Sequence, residues 1–282
     1  MRPLLVTLLI ISLAFIGNAF AVPKVAQERV ALRQEEGISP VIPSPVARIV
    51  ALEFKGLLSD AIFSRVMTYY GGKLIKEEEL SDEEWDWFYK SIDLATDLDP
   101  YFLDPYYLGA MNLPWAKKVK EVNTLLEKAL SYRSWDWSIP FYLGFNQFYF
   151  LHDNEKAASY LMEASRRPGS SSLLPALAAR LSYKGRKTEN AVIFLQEIIK
   201  KTEDETIRKS YEERLNALKK ILFLERAVTA YEERFGKRPL KLDDLVRDGA
   251  IREIPIDPYG GEFYIDADGT IKTTSDLVHK KG

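Results

Sequence analysis

From Ser44 to Phe235 the apolar positions recur mostly at intervals of three and four residues, the spacing of helices that bury one face. Ser44 and Pro45 supply a cap and a first-turn proline. The helix they open carries Val46, Ile49, Val50, Phe54, Leu57, Leu58, Ile62, Val66 and Met67, and Gly71-Gly72 is expected to end it. In Leu80-Ser81-Asp82-Glu83-Glu84-Trp85, Ser81 and Glu84 have capping-box spacing and Leu80 and Trp85 that of a hydrophobic staple, which predicts a helix to about Leu98. Asp99-Pro100 stops it, because proline has no N–H to donate, and Pro168-Gly169 makes a similar break. Thr202 and Glu205 repeat the capping-box spacing ahead of a helical stretch from Ile207 to Phe235, which Gly236 closes.

Within this helical run the pattern repeats. Ala95, Ala129, Ala164 and Ile198 hold one phase at separations of 34, 35 and 34 residues. Pro105-Tyr106-Tyr107-Leu108-Gly109-Ala110 returns 35 residues later as Pro140-Phe141-Tyr142-Leu143-Gly144-Phe145, and Leu177-Ala178-Ala179 follows at the next step. The need behind this spacing is steric: where two helices cross closely one of them must present little bulk, and Gly109, Gly144 and Ala178 occupy that slot opposite the small alanines. A helical glycine costs about 1 kcal/mol relative to alanine, so it is placed there for space. These residues, with Pro100, resemble the tetratricopeptide repeat. That resemblance implies a mainly α protein, a right-handed α-solenoid of helix pairs with a capping helix over residues 81–235, preceded by an N-terminal helical cap at 45–80. Ser134 departs from the family's joint proline and Ile198 from its alanine. By the same resemblance the groove-facing positions fall on Tyr106, Ala110, Phe141, Phe145 and Phe148, with Tyr149 adjacent, as candidates for binding a protein or peptide.

After Gly236 the period changes. A short helix is expected over Leu240–Val246, stopped by Gly249, then a turn at Ile254-Pro255-Ile256-Asp257-Pro258-Tyr259-Gly260-Gly261, then a hairpin of Phe263-Tyr264-Ile265 and Thr270-Ile271-Lys272 around Asp268-Gly269. Residues 236–282 therefore read as a distinct α+β appendage. Tyr231, Pro239, Leu242, Leu245 and the Ile254 to Gly260 turn make it similar to the end of type II secretion pseudopilins and some type IV pilins, which directs attention to secretion or pilus machinery. The matching prepilin leader is missing. Asp266-Ala267-Asp268-Gly269 begins like a calcium loop, but Thr270 and Leu277 stand where further carboxylates would be needed, so a hairpin turn is expected and no metal site.

Composition narrows the chemistry. With 39 basic and 41 acidic residues there is no field to attract nucleic acid, and with no cysteine there is no disulfide, zinc-thiolate or thioether-haem chemistry. Arg2, the apolar run Leu4 to Ile16 and Ala19-Phe20-Ala21 form a signal-peptide pattern, which places cleavage after residue 21, an extended proline-rich linker at 22–44, and the body in the periplasm or otherwise exported. Left uncleaved, Leu4 to Val22 would serve as an inner-membrane anchor. His152 and His279 have no partners at catalytic or metal-binding spacing, and no phosphate-binding loop, dinucleotide fingerprint or nucleophile elbow occurs. Trp85/Trp87 and Trp135/Trp137 stand two apart, so one of each pair must leave its helix's buried stripe. The expectation is a non-enzymatic docking or assembly scaffold of the bacterial envelope without cofactors, its partner a protein. An envelope enzyme with a site assembled only by folding and a membrane-tethered spacer are the alternatives.

Overall fold

The computed structural model describes residues 38–279, so the expected leader, with most of the linker, lies outside the described residues. The chain divides into two compact units between Leu98 and Asp99.

The first unit holds three helices, α1 (Ser44–Ala51), α2 (Lys55–Ile75) and α3 (Asp82–Leu98). The single helix expected from Ser44 is broken at Leu52, whose φ of 47° lies in the left-handed region and turns the chain. The glycine pair at 71–72 does not end α2, which runs on to Ile75: glycine weakens a helix, but the α2 backbone bonds continue through it. The start of α3 follows its signature, with Glu84 accepting from the Ser81 N–H at 2.6 Å and Ser81 Oγ accepting from the Glu84 N–H at 3.3 Å. Both α1 and α2 pack on α3, where Ala47, Ala51, Leu94 and Leu98 form a buried cluster against Leu58 and Ile62. Trp87 is buried and meets Tyr69 edge-on, while Trp85 is half-buried beside Phe88. Ile49, Val50, Leu52, Phe54 and Leu57 remain exposed.

The second unit begins with three helical hairpins. They are α4 (Leu103–Asn112) with α5 (Val119–Tyr132), α6 (Ser138–Tyr149) with α7 (Asn154–Ser165), and α8 (Leu174–Lys184) with α9 (Thr188–Lys201), followed by the long α10 (Glu205–Phe235). Each of these helices packs on the next. The small residues sit as the spacing requires. Gly109, Gly144, Ala129, Ala164 and Ala178 are buried, as Ala95 is in α3. At Gly144 an added Cβ would lie 2.9 Å from the Leu161 side chain and 3.2 Å from the Ala157 carbonyl, so α6 and α7 cross at a distance that only glycine permits. A buried hydrogen bond of 2.9 Å between Asn146 and Asn123 ties α6 to α5.

Where proline is missing at the joint before α6, side chains make the turn. Asp136 accepts from the Ser138 N–H at 3.0 Å and its hydroxyl at 2.7 Å and pairs with Arg133 at 2.9 Å, while Arg167 donates to the Asp136 carbonyl at 2.7 Å. Burial alone would raise the Asp136 carboxyl, but the bonds from Ser138 and Arg133 outweigh it and hold the group below its usual range. The expected capping box at Thr202 is corrected. The N-cap of α10 is Asp204, which accepts from the Thr206 and Ile207 N–H groups at 2.9 Å, while Thr202 turns back to the Ile198 carbonyl and caps the end of α9.

The C-terminal elements are the short α11 (Leu242–Arg247) and an antiparallel hairpin of β1 (Phe263–Ile265) and β2 (Ile271–Thr273), with Tyr264 opposite Lys272. Gly236 closes α10 at φ 68°. This segment is not the separate appendage expected. Leu242, Leu245, Tyr259, Phe263, Ile271 and Leu277 belong to one core with Leu161, Leu195, Leu218 and Leu224 from α7, α9 and α10. Its α-to-β change of period marks a change of element and not a domain boundary.

Candidate functional site

The aromatic surface comes from α4, α6 and the turns after them. Tyr107 and Met111 are one helical turn apart on α4, and Trp115 follows after Pro114 has ended that helix. Tyr142, Phe145 and Tyr149, three and four residues apart, form a second row on α6. The two rows touch at both ends: Tyr107 meets Tyr142 edge-on at 5.8 Å between ring centres, and Trp115 meets Tyr149 at 5.5 Å and Phe150 at 5.0 Å. Phe145 stacks on Tyr149 at 5.4 Å with their planes 8° apart. Ring packing of this kind adds about 0.5–1.5 kcal/mol per pair beyond burial and fixes the rings in place. Burial first, and the Tyr107 hydroxyl second, push the Tyr142 phenol above its usual range, so it stays protonated and neutral. The strip nevertheless remains open to solvent: Trp115 is 62% exposed and Tyr149 49%, with Tyr107, Met111 and Phe148 close behind.

Two of the expected groove residues are elsewhere. Tyr106 is 0% exposed, its hydroxyl donating to the Pro100 carbonyl at 3.2 Å, and Ala110 is buried beside it. Both lie on the inward face of α4, because their neighbours Tyr107 and Met111, about 100° further around the helix, take the outward face. Phe141 is half-buried against Trp137 and the core, and Phe145 is half-buried within the strip; Phe148 and Tyr149 are exposed. Tyr107, Met111, Trp115 and Tyr142 are not among the groove positions expected from the sequence. A signal for two of them was present, since Tyr107 and Tyr142 occupy the same place in the two copies of the Pro-x-Tyr-Leu-Gly segment. A second, smaller group lies at the other end of the hairpins, where Trp135 stacks on Tyr101 at 6.2 Å and carries the Arg133 guanidinium 5.4 Å from its ring centre.

The polar alternative is a cleft of about 660 Å³ between the hairpin, α8 and α10, lined among others by Tyr183, Lys184, Arg186, Glu225, Arg238 and Asp268. Its charges engage one another: Arg186 pairs with Asp268 at 2.8 Å, Lys184 with Asp276 at 3.3 Å and Arg238 with Glu232 at 2.5 Å. Burial raises the Glu225 carboxyl against the opposing effect of a 2.8 Å hydrogen bond from Thr188. His152 sits in the turn before α7 with a φ of 54°, and His279 faces Glu213 at 3.0 Å, far in sequence from the strip. Among the described residues no group of three or more metal-ligating side chains converges, and no helix is long and apolar enough to cross a membrane. Asp266 and Asp268 bond to Lys272, Arg186 and Thr270 around the hairpin turn. No protein-family model matches this chain and no curated protein matches it, so its functional reading rests on these residues and their geometry.

Proposed function

We propose that this chain is a non-enzymatic docking protein of the bacterial cell envelope, built on tetratricopeptide-like helix pairs, that holds a segment of another protein on the aromatic strip of α4 and α6. The carrying observation is the strip itself: two rows of rings locked against each other yet open to solvent. Exposed aromatic clusters of this kind are a habit of interfaces, because rigid rings bring large contact area at little entropic cost. The three helical hairpins, with first helices starting at Leu103, Ser138 and Leu174, support the repeat reading. Mutual pairing of the charges around the polar cleft favours a structural over a chemical role for it. The leader pattern supports export, and the pseudopilin-like tail makes secretion or pilus machinery the first place to seek the partner.

The test is site-specific photocrosslinking in cells. A benzoylphenylalanine placed at Tyr107 or Tyr149 is expected to give a discrete adduct with an envelope protein, lost in the Trp115→Ala background and absent when the probe replaces Lys209 on α10. Adducts no different from those of the Lys209 position would end the proposal.

A further inference from the structure

The hairpin has two unlike edges. Thr274 N–H donates to the Glu262 carbonyl at 3.0 Å and Asp266 N–H to the Thr270 carbonyl at 2.8 Å, so Glu262, Tyr264 and Asp266 turn their peptide groups toward β2. By the alternation of an antiparallel ladder, Phe263 and Ile265 turn theirs outward, as Ile271 and Thr273 do on β2. On the β2 side that edge is closed, since the Tyr183 hydroxyl donates to the Ile271 carbonyl at 2.9 Å. On the β1 side no hydrogen bond reaches the peptide groups of Phe263 or Ile265 among the described residues.

Alongside β1 lies a groove of about 600 Å³, lined by residues 240–243, 254–257 and 261–265. Two of its apolar members are open, Leu240 at 86% exposed and Ile256 at 82%, above the buried Leu242 and Phe263. Its open charges are Asp243 and Glu262 against Lys241, since Asp257 is buried and accepts from the Thr273 and Ser275 hydroxyls and the Tyr259 N–H. Unpaired peptide groups in a row specify a strand, an apolar floor specifies apolar side chains on alternate residues, and a carboxylate-rich lining specifies cations.

We propose that the outer edge of β1 takes up an extended peptide segment, apolar at alternate positions and carrying lysine or arginine between them, as a third strand. A second copy of this chain is the alternative occupant of the edge, and the test below separates the two. The site uses different elements from the aromatic strip, so it stands whether or not the strip binds a partner.

The test uses the full chain and capped heptapeptides alternating Val with Lys, with a Val and Glu series as the charge control, followed by amide exchange. In the free protein the Phe263 and Ile265 amides are expected to exchange faster than that of Tyr264. The Val and Lys peptide is expected to protect both, and to bind at least tenfold more tightly than the Val and Glu peptide. Ile265→Pro removes an outward N–H that the hairpin does not use, a place where an edge strand tolerates proline. It is expected to weaken binding at least tenfold with the circular dichroism unchanged. N-methylation of the peptide amides that face β1 should have the same effect without altering the protein. Three results would overturn the proposal: no protection at millimolar peptide, equal binding by the N-methylated peptide, or protection that rises with protein concentration alone and so reveals a second copy at the edge.

Discussion

Gly144 shows how a single missing side chain sets the distance between two helices. A methyl group there meets Leu161 and, less yieldingly, the backbone carbonyl of Ala157. Alanine would gain about 1 kcal/mol of helix propensity, but overpacking of this kind costs about 1–3 kcal/mol, and the backbone contact places it toward the upper part of that range. Gly144→Ala is therefore expected to destabilise the second unit by about 1–2 kcal/mol net, read as a lower urea midpoint with unchanged slope. The repeated glycine was legible from sequence because the need for space recurs at a fixed interval. Which ring of each Tyr-Tyr or Phe-Tyr pair faces outward was not, since adjacent residues differ by a rotation about the helix that the repeat leaves unspecified.

Among the elements, α2 and the start of α3 are joined by charge. Lys73 pairs with Glu84 at 2.9 Å and Glu78 at 3.2 Å, and the Tyr69 hydroxyl donates to Glu84. Burial pushes the Tyr69 phenol up to about 12, with Glu84 adding to the shift. For Glu84 itself burial works upward, but the bonds from Tyr69, Ser81 and Lys73 outweigh it and bring the carboxyl down from 4.5 to about 2. A carboxyl with a depressed folded pKa stabilises above its unfolded value and loses that contribution as pH falls through the folded one. The thermal stability of the first unit is therefore expected to fall as pH drops from about 4.5 to about 2, and Glu84→Gln to lose stability at pH 6 while flattening the dependence across that window. Equal slopes for the two proteins would show that other carboxylates carry it. The capping box of Ser81 and Glu84 was plain in the sequence, whereas Tyr69 and Lys73 join it only because α2 folds back on α3.

For the molecule as a whole, the C-terminal segment matters more than its length suggests. Tyr259, Phe263, Ile271 and Leu277 share a core with α7 to α10, and Arg214 donates to the Leu277 carbonyl at 2.7 Å. Ending the chain at Phe235 would take Leu242, Leu245, Phe263, Ile271 and Leu277 out of that core, each worth about 1.5–3 kcal/mol when fully buried. That truncation is expected to lower the melting temperature of the second unit and to bind a hydrophobic dye, where an independent appendage would leave both unchanged. Most of the helices, the Ser81 cap and the interval at which the hairpins repeat were legible along the chain, because capping, proline and apolar period act over a few residues of local backbone; the break at Leu52 and the Asp204 cap were not. That α3 packs on α1 and α2, that Tyr107 and Trp115 face solvent while Tyr106 is buried, and that the tail completes a core emerge on folding. Those outcomes depend on which faces meet across long separations in the chain, where burial of one face against a particular neighbour outweighs anything that local spacing encodes.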